Sequence, residues 1–337
     1  MNLKTLLSFT TCLLVAPFLQ AKHHKLFVLT GQSNSLGTTN GGEADPSPGT
    51  DPADQHILFS WHNVVSSSSS IGHSGQTLSS PTATADFTTL QDQQGGVYGG
   101  SATHWGGEME FARSLYRAGV RDFGIIKASR GGGGNTLWSK SSGGHMYTHV
   151  VDTVNEAIAS LPAGDTYEIV GLLYLQGESD SSAEAAAAGT RLKELTDNLR
   201  VDLANASNMQ TIAAGTTAAG NNTDVISRAN QAAIATSTSY IDYFDNTDLT
   251  GDLSPDNLHL NKNGKNTVGQ RWAQAFLNAG ITGVSRHYGN LVFIGDSITQ
   301  GGSGFPSFRY QVFKNLAKAN VPSNATTGYK LVGSLNG

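Results

Sequence analysis

Two groups of polar residues, far apart along the chain, could together carry out acyl transfer. Ser33 lies in the segment TGQSN, directly after a short apolar run, and Asp256 and His259 lie three residues apart in SPDNLHLNKNGK. A serine hydroxyl becomes a good nucleophile only when a base takes its proton, and that base needs a third group to hold its tautomer. Because Asp256 and His259 can share one turn, the pattern predicts a carboxylate behind an imidazole that serves Ser33.

Two further segments could stabilise the oxyanion of such a reaction, which requires preorganised hydrogen-bond donors. The segment SRGGGGNTLW, residues 129–138, can expose backbone N–H groups because its glycines leave no side chains in the way. The segment QGESD, residues 176–180, carries a side-chain amide in Gln176. We therefore predict that the Ser33 N–H, one N–H from residues 131–134 and the Gln176 side chain act as donors.

The elements that must position these residues are typical of an α/β protein. Five apolar, β-rich runs predict strands, and the amphipathic or alanine-rich stretches between them predict helices. Strands that alternate with helices predict a three-layer α/β/α fold with a mainly parallel five-stranded sheet. Ligands of such sheets gather at the carboxyl ends of the strands. The predicted strands are KLFVLT (25–30), FGIIKA (123–128), YEIVGLLYL (167–175), QTIAAG (210–215) and YIDYF (240–244).

Residues 38–104 interrupt this alternation. They are rich in Gly, Ser, Thr, Asp and Pro, include a run of serines at 66–70 and show no strong hydrophobic period. We predict a long irregular segment that carries Trp61 and Tyr98 and forms a functional rim beside the site.

The composition and the N-terminus limit the class of function. The 337 residues carry a net charge of −5 and no cluster of Lys and Arg, which excludes an electrostatic footprint for nucleic acid or a membrane surface. Residues 1–21, with Lys4 before an apolar stretch, predict a cleaved secretory signal and hence a secreted or periplasmic protein without a membrane anchor after cleavage. The only cysteine, Cys12, lies in that signal. His145 and His149 have i,i+4 spacing without an evident third ligand, so no metal site is predicted.

Four segments between about residues 25 and 280 resemble motifs of the SGNH hydrolase superfamily. They are VLTGQSNSLG, IIKASRGGGGNTLW, YLQGESD and DNLHLNKNGKNTVGQRWA. Within it they look like the sialate O-acetylesterase-like branch, which includes the acetylxylan esterases of carbohydrate esterase family 6. The combination of GQSN with QGESD is fairly specific to that branch. The resemblance implies the α/β/α fold, no metal and no cofactor, and removal of O-acetyl groups from an acetylated carbohydrate such as xylan or a sialoside.

The resemblance also implies roles for single residues. The catalytic triad that it implies is Ser33, Asp256 and His259. The oxyanion hole would combine Ser33 and Gln176 with one glycine of the second motif. This motif reads RGGGGNT where the branch has a shorter Gly-Gly-Thr, so the donor is one of the glycines at 131–134, with Gly131 and Gly132 as the first candidates.

Four residues within these motifs are candidate substrate contacts: Gln32, Asn34, Trp138 and Glu178. Trp138 flanks the glycine run and could either stack on a sugar ring or pack in the core. For Glu178 the favoured interpretation is structural, since it could orient neighbouring loops rather than touch substrate.

A second segment with the strand-Gly-x-Ser pattern, NLVFIGDSITQGG, lies near the C-terminus and contains Ser297. It resembles the beginning of another SGNH domain, but residues 291–337 contain no histidine and are too few to bury a core of their own. We therefore expect a signal peptide at 1–21, the esterase domain at 22–284 and an incomplete second SGNH-like domain at 285–337.

Two other functions are compatible with the same residues. One is a non-catalytic carbohydrate-binding module on this fold, although such a module has no need of a serine, a histidine and an acid together. The other is an SGNH lipase or thioesterase. The α/β-hydrolase fold is excluded, because its nucleophile lies in Gly-x-Ser-x-Gly after several strands, whereas Ser33 follows the first strand and Ser35 stands where the second glycine belongs.

Overall fold

The computed structural model describes residues 21–38, 49–66, 69–73, 85–94, 103–217 and 222–280. The predicted signal peptide, apart from Ala21, lies outside these residues, as do Tyr98 and the predicted second domain. The chain divides into two compact units, Met1–Ala275 and Phe276–Gly337. The sheet and the site described below belong to the first unit, and the described part of the second is the end of the last helix and two further residues.

The described residues contain ten strands, eight of which form the main sheet, and seven of these eight follow the order β10-β9-β8-β1-β7-β2-β3. Strand β4 pairs with β2, and β5 and β6 form a separate two-stranded sheet. The strands are β1 (His23–Gly31), β2 (Leu58–Ser66), β3 (Ser69–His73), β4 (Thr88–Thr89), β5 (Gln93–Gln94), β6 (Thr103–His104), β7 (Phe123–Ser129), β8 (Thr166–Leu175), β9 (Gln210–Ala214) and β10 (Ile241–Phe244).

The five predicted strands are all present and run parallel to their neighbours in the order β10-β9-β8-β1-β7. The main sheet is larger than the predicted five strands because the segment 38–104 contributes β2, β3 and β4. Strand β2 runs parallel to β7, whereas β3 and β4 run antiparallel to β2. The sheet is therefore mainly parallel, as predicted, with an antiparallel margin.

Strand β2 corrects the prediction that residues 38–104 are irregular throughout. Trp61 is buried in it, but polar residues lie between the apolar ones and weaken the strand signal. Two of these polar side chains are buried because they have partners. The Ser60 hydroxyl donates to a backbone carbonyl at 2.7 Å, and Asn63 Oδ1 accepts from the Ser129 N–H at 3.0 Å. Hydrophobicity alone cannot identify a strand of this kind.

Helices cover both faces of the sheet. They are α1 (Ser33–Leu36), α2 (Glu108–Arg117), α3 (His145–Ala159), α4 (Ser182–Asp202), α5 (Asn222–Ser237) and α6 (Lys262–Asn278). Leu26 and Val28 of β1 belong to the core cluster that includes side chains of α3 and α4. Phe27 points to the opposite face, where its ring lies 5.1 Å from that of Phe111 in α2. This confirms the predicted three-layer arrangement. Within the described part of the chain, no helix is long and apolar enough to cross a membrane.

Candidate active site

Ser33 begins α1 immediately beyond the carboxyl end of β1. Gly31, the last residue of β1, has a φ of 143°, and a Cβ there would lie 2.0 Å from the carbonyl oxygen of Leu175. Only glycine allows so close an approach to β8, and this lets the chain turn sharply into the helix. The Gln32 N–H donates to the same Leu175 oxygen at 3.0 Å. Ser33 is left 8% exposed, in a largely enclosed position.

Ser33, His259 and Asp256 form a continuous chain of hydrogen bonds. Ser33 Oγ lies 2.8 Å from His259 Nε2, and His259 Nδ1 lies 2.6 Å from Asp256 Oδ2. With its proton on Nδ1, the imidazole donates to the carboxylate and leaves Nε2 to accept from the serine hydroxyl. The structure therefore brings the three sequence-predicted residues into the arrangement that activates a serine for nucleophilic attack.

One short turn explains why Asp256 and His259 meet. The Ser254 N–H donates to the His259 carbonyl at 2.7 Å and closes the turn. Asn257 adopts a φ of 57°, the left-handed conformation that asparagine tolerates better than most residues. Asp256 Oδ1 accepts from the backbone N–H groups of Leu258 and His259, both at 3.0 Å.

These contacts set the charge of Asp256. Partial burial raises its pKa, but the hydrogen bonds from the His259 side chain and from the backbone outweigh burial, so the pKa lies below its usual value. The carboxylate is therefore ionised at neutral pH, and its charge can stabilise a protonated imidazole at His259.

Asn34 and Glu178, two candidate substrate contacts, are buried side chains that hold the site together. Asn34 is 3% exposed and Glu178 is 8% exposed. Asn34 Nδ2 donates to Glu178 Oε1 at 2.7 Å and to the Leu258 carbonyl at 3.2 Å, while Asn34 Oδ1 accepts from the Leu260 N–H at 2.9 Å. These bonds tie α1 to the turn that carries His259, and they fit the structural interpretation of Glu178 better than direct contact with substrate.

Glu178 has an unusual pKa for a carboxylic acid. Burial raises it to about 7, against the opposing effect of the hydrogen bond from Asn34. The negative charges of Asp224 and Asp180 act in the same direction as burial. Glu178 Oε2 has no hydrogen-bond partner among the described residues. This carboxyl group therefore changes its charge close to neutral pH.

The glycine run begins next to the turn that carries Ser33. It follows β7, the strand that pairs with β1, and the Arg130 N–H donates to the Gly31 carbonyl at 3.0 Å. The predicted donors Gly131 and Gly132 come directly after Arg130. This places their backbone at the same end of the sheet as the serine.

Three of the four glycines have a steric reason to be glycine. Gly132 and Gly133 have φ angles of 65° and 101°, in the left-handed region. A Cβ on Gly133 would also lie 2.3 Å from the Arg130 side chain, and a Cβ on Gly134 would lie 2.1 Å from the Glu184 carboxylate. The path of the loop thus favours glycine at 132 and 133, and close packing on α4 favours it at 134.

Gln176 lies at the end of β8, the strand on the other side of β1, and is fully buried. Its Nε2 donates to Asp180 Oδ1 at 2.7 Å, and its Oε1 accepts from the Tyr174 hydroxyl at 3.3 Å. The second hydrogen of Nε2 has no acceptor among the described residues. The three predicted oxyanion donors therefore follow three adjacent strands, β7, β1 and β8.

Asp180 is a residue of the site whose role the sequence does not reveal. Its carboxylate, 4% exposed, accepts hydrogen bonds from two residues of the predicted oxyanion motifs, Gln176 and Asn135, and from Ser227 of α5. The available signal is the pair of acids two residues apart in QGESD, directly after a buried strand.

Trp138 and Gln32 are buried, which is the opposite of what contact with a sugar requires. Each is 1% exposed. The Trp138 indole Nε1 donates to Thr30 Oγ1 at 2.8 Å, and its ring meets that of Tyr174 edge to face at 6.5 Å. Of the two roles that the sequence leaves open for Trp138, its burial favours core packing, because its polar atom has a partner inside the fold.

His149 has a hydrogen-bond partner, whereas Nε2 of His145 is buried without one among the described residues. His149 Nε2 donates to the His62 carbonyl at 2.7 Å, and burial lowers the pKa of both His145 and His149. Among the described residues, no group of three His, Cys, Asp or Glu side chains is arranged to hold a metal ion.

A buried ion pair lies beside α1. Lys127 Nζ is 2.9 Å from Glu108 Oε1, and both side chains are fully buried. Lys127 Nζ also donates to the Leu36 carbonyl at 3.1 Å, and Lys265 Nζ donates to the Gly37 carbonyl at 2.9 Å. Burial lowers the pKa of Lys127, and its contact with Glu108 opposes this. Two buried lysines therefore bind the carbonyl groups at the C-terminal end of α1.

Two solved structures share this fold, and a third matches with a lower TM-score. A protein from Arabidopsis thaliana matches with a TM-score of 0.56 and 23% identity, over 76% of this chain and 98% of that chain. NanS matches with a TM-score of 0.50 and 15% identity, over 77% and 98% of the two chains. XAC1771, a carbohydrate acetylesterase from Xanthomonas citri, has a TM-score of 0.49 and 15% identity, over 80% and 60%. No curated protein gives a significant match.

The family comparison covers nearly all of the described domain. Residues 23–278 match the family described as "Carbohydrate esterase, sialic acid-specific acetylesterase". This range begins at the first residue of β1, ends at the last residue of α6 and contains the four motifs of the site. The chain therefore belongs to this family of carbohydrate esterases.

Proposed function

We propose that this protein is a secreted serine esterase that removes O-acetyl groups from carbohydrates. The observation that carries the proposal is the hydrogen-bonded chain from Ser33 Oγ through His259 to Asp256 Oδ2, with distances of 2.8 Å and 2.6 Å. Membership of the family supports an acetylated sugar as the substrate class. Secretion rests on the signal-like sequence of residues 1–21.

The geometry supports a two-step acyl transfer. His259 Nε2 takes the Ser33 proton while Oγ attacks the acetyl carbonyl carbon, and Asp256 stabilises the resulting imidazolium. His259 then gives the proton to the departing sugar oxygen, which leaves the acetyl group on Ser33. A water molecule, deprotonated by His259, attacks the acetyl-enzyme and releases acetate, which restores the serine.

The oxyanion of each tetrahedral intermediate would be stabilised by the Ser33 N–H, by the N–H of Gly131 or Gly132, and by Gln176 Nε2. Loss of one such donor typically costs about 10²–10³ in kcat. The support for this assignment is the placement of the donors after three adjacent strands and the defined orientation of the Gln176 amide.

Two assays test the proposal. Turnover of p-nitrophenyl acetate tests the chemistry, and acetate release from acetylated sialosides and acetylated xylan tests the substrate class. We expect Ser33→Ala to lower kcat by at least about 10³-fold, since the nucleophile is removed. Ser297→Ala, in the second Gly-x-Ser motif, is the matched serine control and should keep the wild-type rate.

Each alternative gives a different result. Equally slow release by wild type and Ser33→Ala would indicate a non-catalytic carbohydrate-binding module. Faster turnover of long acyl chains than of acetyl groups would indicate a lipase or thioesterase. A large loss of activity in Ser297→Ala would show that the nucleophile belongs to the second Gly-x-Ser motif and that its assignment to Ser33 is wrong.

A further inference from the structure

We propose that Asp180 is the positioning residue of the oxyanion hole, a buried carboxylate that holds two of its components in place. The inference rests on the proposed function, because it assigns a task within that esterase site. Asp180 accepts four hydrogen bonds, from Gln176 Nε2 at 2.7 Å, from Ser227 Oγ at 2.6 Å, and from the backbone N–H and Nδ2 of Asn135, both at 2.9 Å. It thereby links the segment after β8 to the loop after β7.

The bond to Asp180 determines which way the Gln176 amide faces. A carboxylate only accepts, so it selects the NH₂ end of the amide, and the Tyr174 hydroxyl donates to the oxygen end at 3.3 Å. The Gln176 backbone carbonyl is held by Gln231 Nε2 at 3.0 Å. One hydrogen of Nε2 is thus engaged, and the direction of the second is fixed before substrate binds. Preorganisation of this kind is what makes an oxyanion donor effective.

Asp180 also holds the glycine run at its C-terminal end. Asn135 directly follows Gly134, and both its backbone N–H and its side-chain amide bond to the carboxylate. Asn135 Nδ2 also donates to the Glu184 carbonyl at 2.8 Å, and Arg191 Nη1 donates to Asn135 Oδ1 at 2.5 Å. A run of glycines has little conformational preference of its own, so it needs such an anchor to present one N–H in a fixed place.

The number of donors explains why a carboxylate occupies this position. Oδ1 accepts from Gln176 Nε2 and the Asn135 N–H, and Oδ2 accepts from Asn135 Nδ2 and Ser227 Oγ. An asparagine here would replace one accepting oxygen by an NH₂ group, which would face two donors. Burying a carboxylate is costly unless it is well hydrogen-bonded, and four donors meet that condition.

Asp180→Asn in the full-length protein tests the proposal. With p-nitrophenyl acetate we expect kcat to fall about 10²-fold while KM changes less than about threefold, because the affected donors act on charge that develops in the transition state. Methaneboronic acid, which forms a tetrahedral adduct with an active serine, should lose affinity by about the same factor as kcat/KM. Asp248→Asn, which removes a more exposed carboxylate paired with Arg271, is the matched control and should keep wild-type kinetics.

A double-mutant cycle with Gln176→Ala separates positioning from general damage. If Asp180 acts through Gln176, Asp180→Asn should cost at least about tenfold less in the Gln176→Ala background than in the wild type. Equal costs in the two backgrounds would overturn the proposal, and so would wild-type kcat in Asp180→Asn.

A second variant covers the case in which Asp180→Asn does not fold, as judged by thermal unfolding. Asn135→Ala leaves the carboxylate in place and breaks its side-chain link to the glycine run. We expect a fall in kcat of about tenfold with KM unchanged, and wild-type kcat in this variant would overturn the proposal. Failure of the proposed function would look different, since the wild type itself would then release no more acetate than Ser33→Ala.

Discussion

Asn34 holds the backbone on both sides of His259. Its Nδ2 donates to the carbonyl of Leu258 at 3.2 Å, and its Oδ1 accepts from the N–H of Leu260 at 2.9 Å. The residue that follows the proposed nucleophile therefore fixes the position of the proposed base without any hydrogen bond to the imidazole ring. Glu178 in turn accepts from Asn34 at 2.7 Å and orients its amide.

Asn34→Ala should therefore impair catalysis rather than substrate binding. Without the two backbone hydrogen bonds, the turn that carries His259 is free to shift, and a displacement of about 1 Å can cost about 10²-fold in rate. We expect kcat on p-nitrophenyl acetate to fall by about that factor with little change in KM. Asn230→Ala, which removes one hydrogen bond between α5 and α4, is the control and should keep the wild-type kcat. A wild-type kcat in Asn34→Ala would refute this role.

Glu178 should make the stability of the protein depend on pH in an unusual direction. Burial raises its pKa from 4.5 to about 7 in the folded protein, helped by the charges of Asp224 and Asp180 and opposed by Asn34. Between these values the folded state binds more protons than the unfolded state, so raising the pH destabilises the fold. The loss from this group amounts to about 3 kcal/mol.

Urea unfolding of wild type and Glu178→Gln at pH 4.5 and about pH 8 measures this effect. Because glutamine does not titrate, we expect the free energy of unfolding of the variant to rise relative to wild type by about 3 kcal/mol between the two pH values. Glu168→Gln, on β8, removes a half-buried carboxyl as the control. A difference that is the same at both pH values would contradict the prediction.

Two neighbouring glycines should respond unequally to alanine. Gly132 has a φ of 65°, and a Cβ at this position would have no atom within 4 Å apart from those of its chain neighbours. Gly132→Ala should therefore lower the free energy of unfolding by about 1 kcal/mol. Gly133 has a φ of 101° and its Cβ would meet the Arg130 and Leu137 side chains at 2.3 and 2.4 Å, so Gly133→Ala should cost about 3 kcal/mol. Urea unfolding of both variants checks the order, and an equal or reversed order would show that the loop takes another path.

Trp138→Phe should affect stability and leave sugar binding unchanged. The substitution removes the buried hydrogen bond to Thr30 Oγ1 and leaves a small void, which together should cost about 2 kcal/mol in the free energy of unfolding. The KM for an acetylated sugar should equal that of the wild type. A tenfold rise in KM without a loss of stability would instead mean that the ring contacts substrate. Such a rise corresponds to a loss of about 1.4 kcal/mol of binding free energy.

Local patterns account for the parts of the fold and the site that could be predicted from the sequence. The five parallel strands are continuous apolar runs, and Ser33 and His259 are recognisable because their chemistry is tied to short motifs beside such runs or turns. Features that depend on distant partners could not be predicted. Strand β2 can bury Asn63 because Ser129 donates to it and Gln93 accepts from it, and Trp138 can face inward because Thr30 accepts its N–H.

The same limit explains why the sequence does not reveal the role of Asp180. Its meaning depends on Asn135, which lies 45 residues earlier, and on Ser227, which lies 47 residues later. No local spacing in the sequence indicates that these three residues lie close together in the fold. A carboxylate with four donors becomes evident only when β8, α5 and the loop after β7 are assembled.

The 226-residue separation between Ser33 and His259 also has a consequence for the order of events during folding. Strand β1 comes first along the chain but lies between β7 and β8, which come later. Ser33 and His259 can therefore meet only after most of the domain has folded. Contacts between residues so far apart in the sequence form slowly, because the chain must lose the entropy of closing a long loop before the contact stabilises it. During refolding, ester hydrolysis should therefore recover after the far-ultraviolet circular dichroism signal. The recovery of activity would then report when the contact between Ser33 and His259 forms.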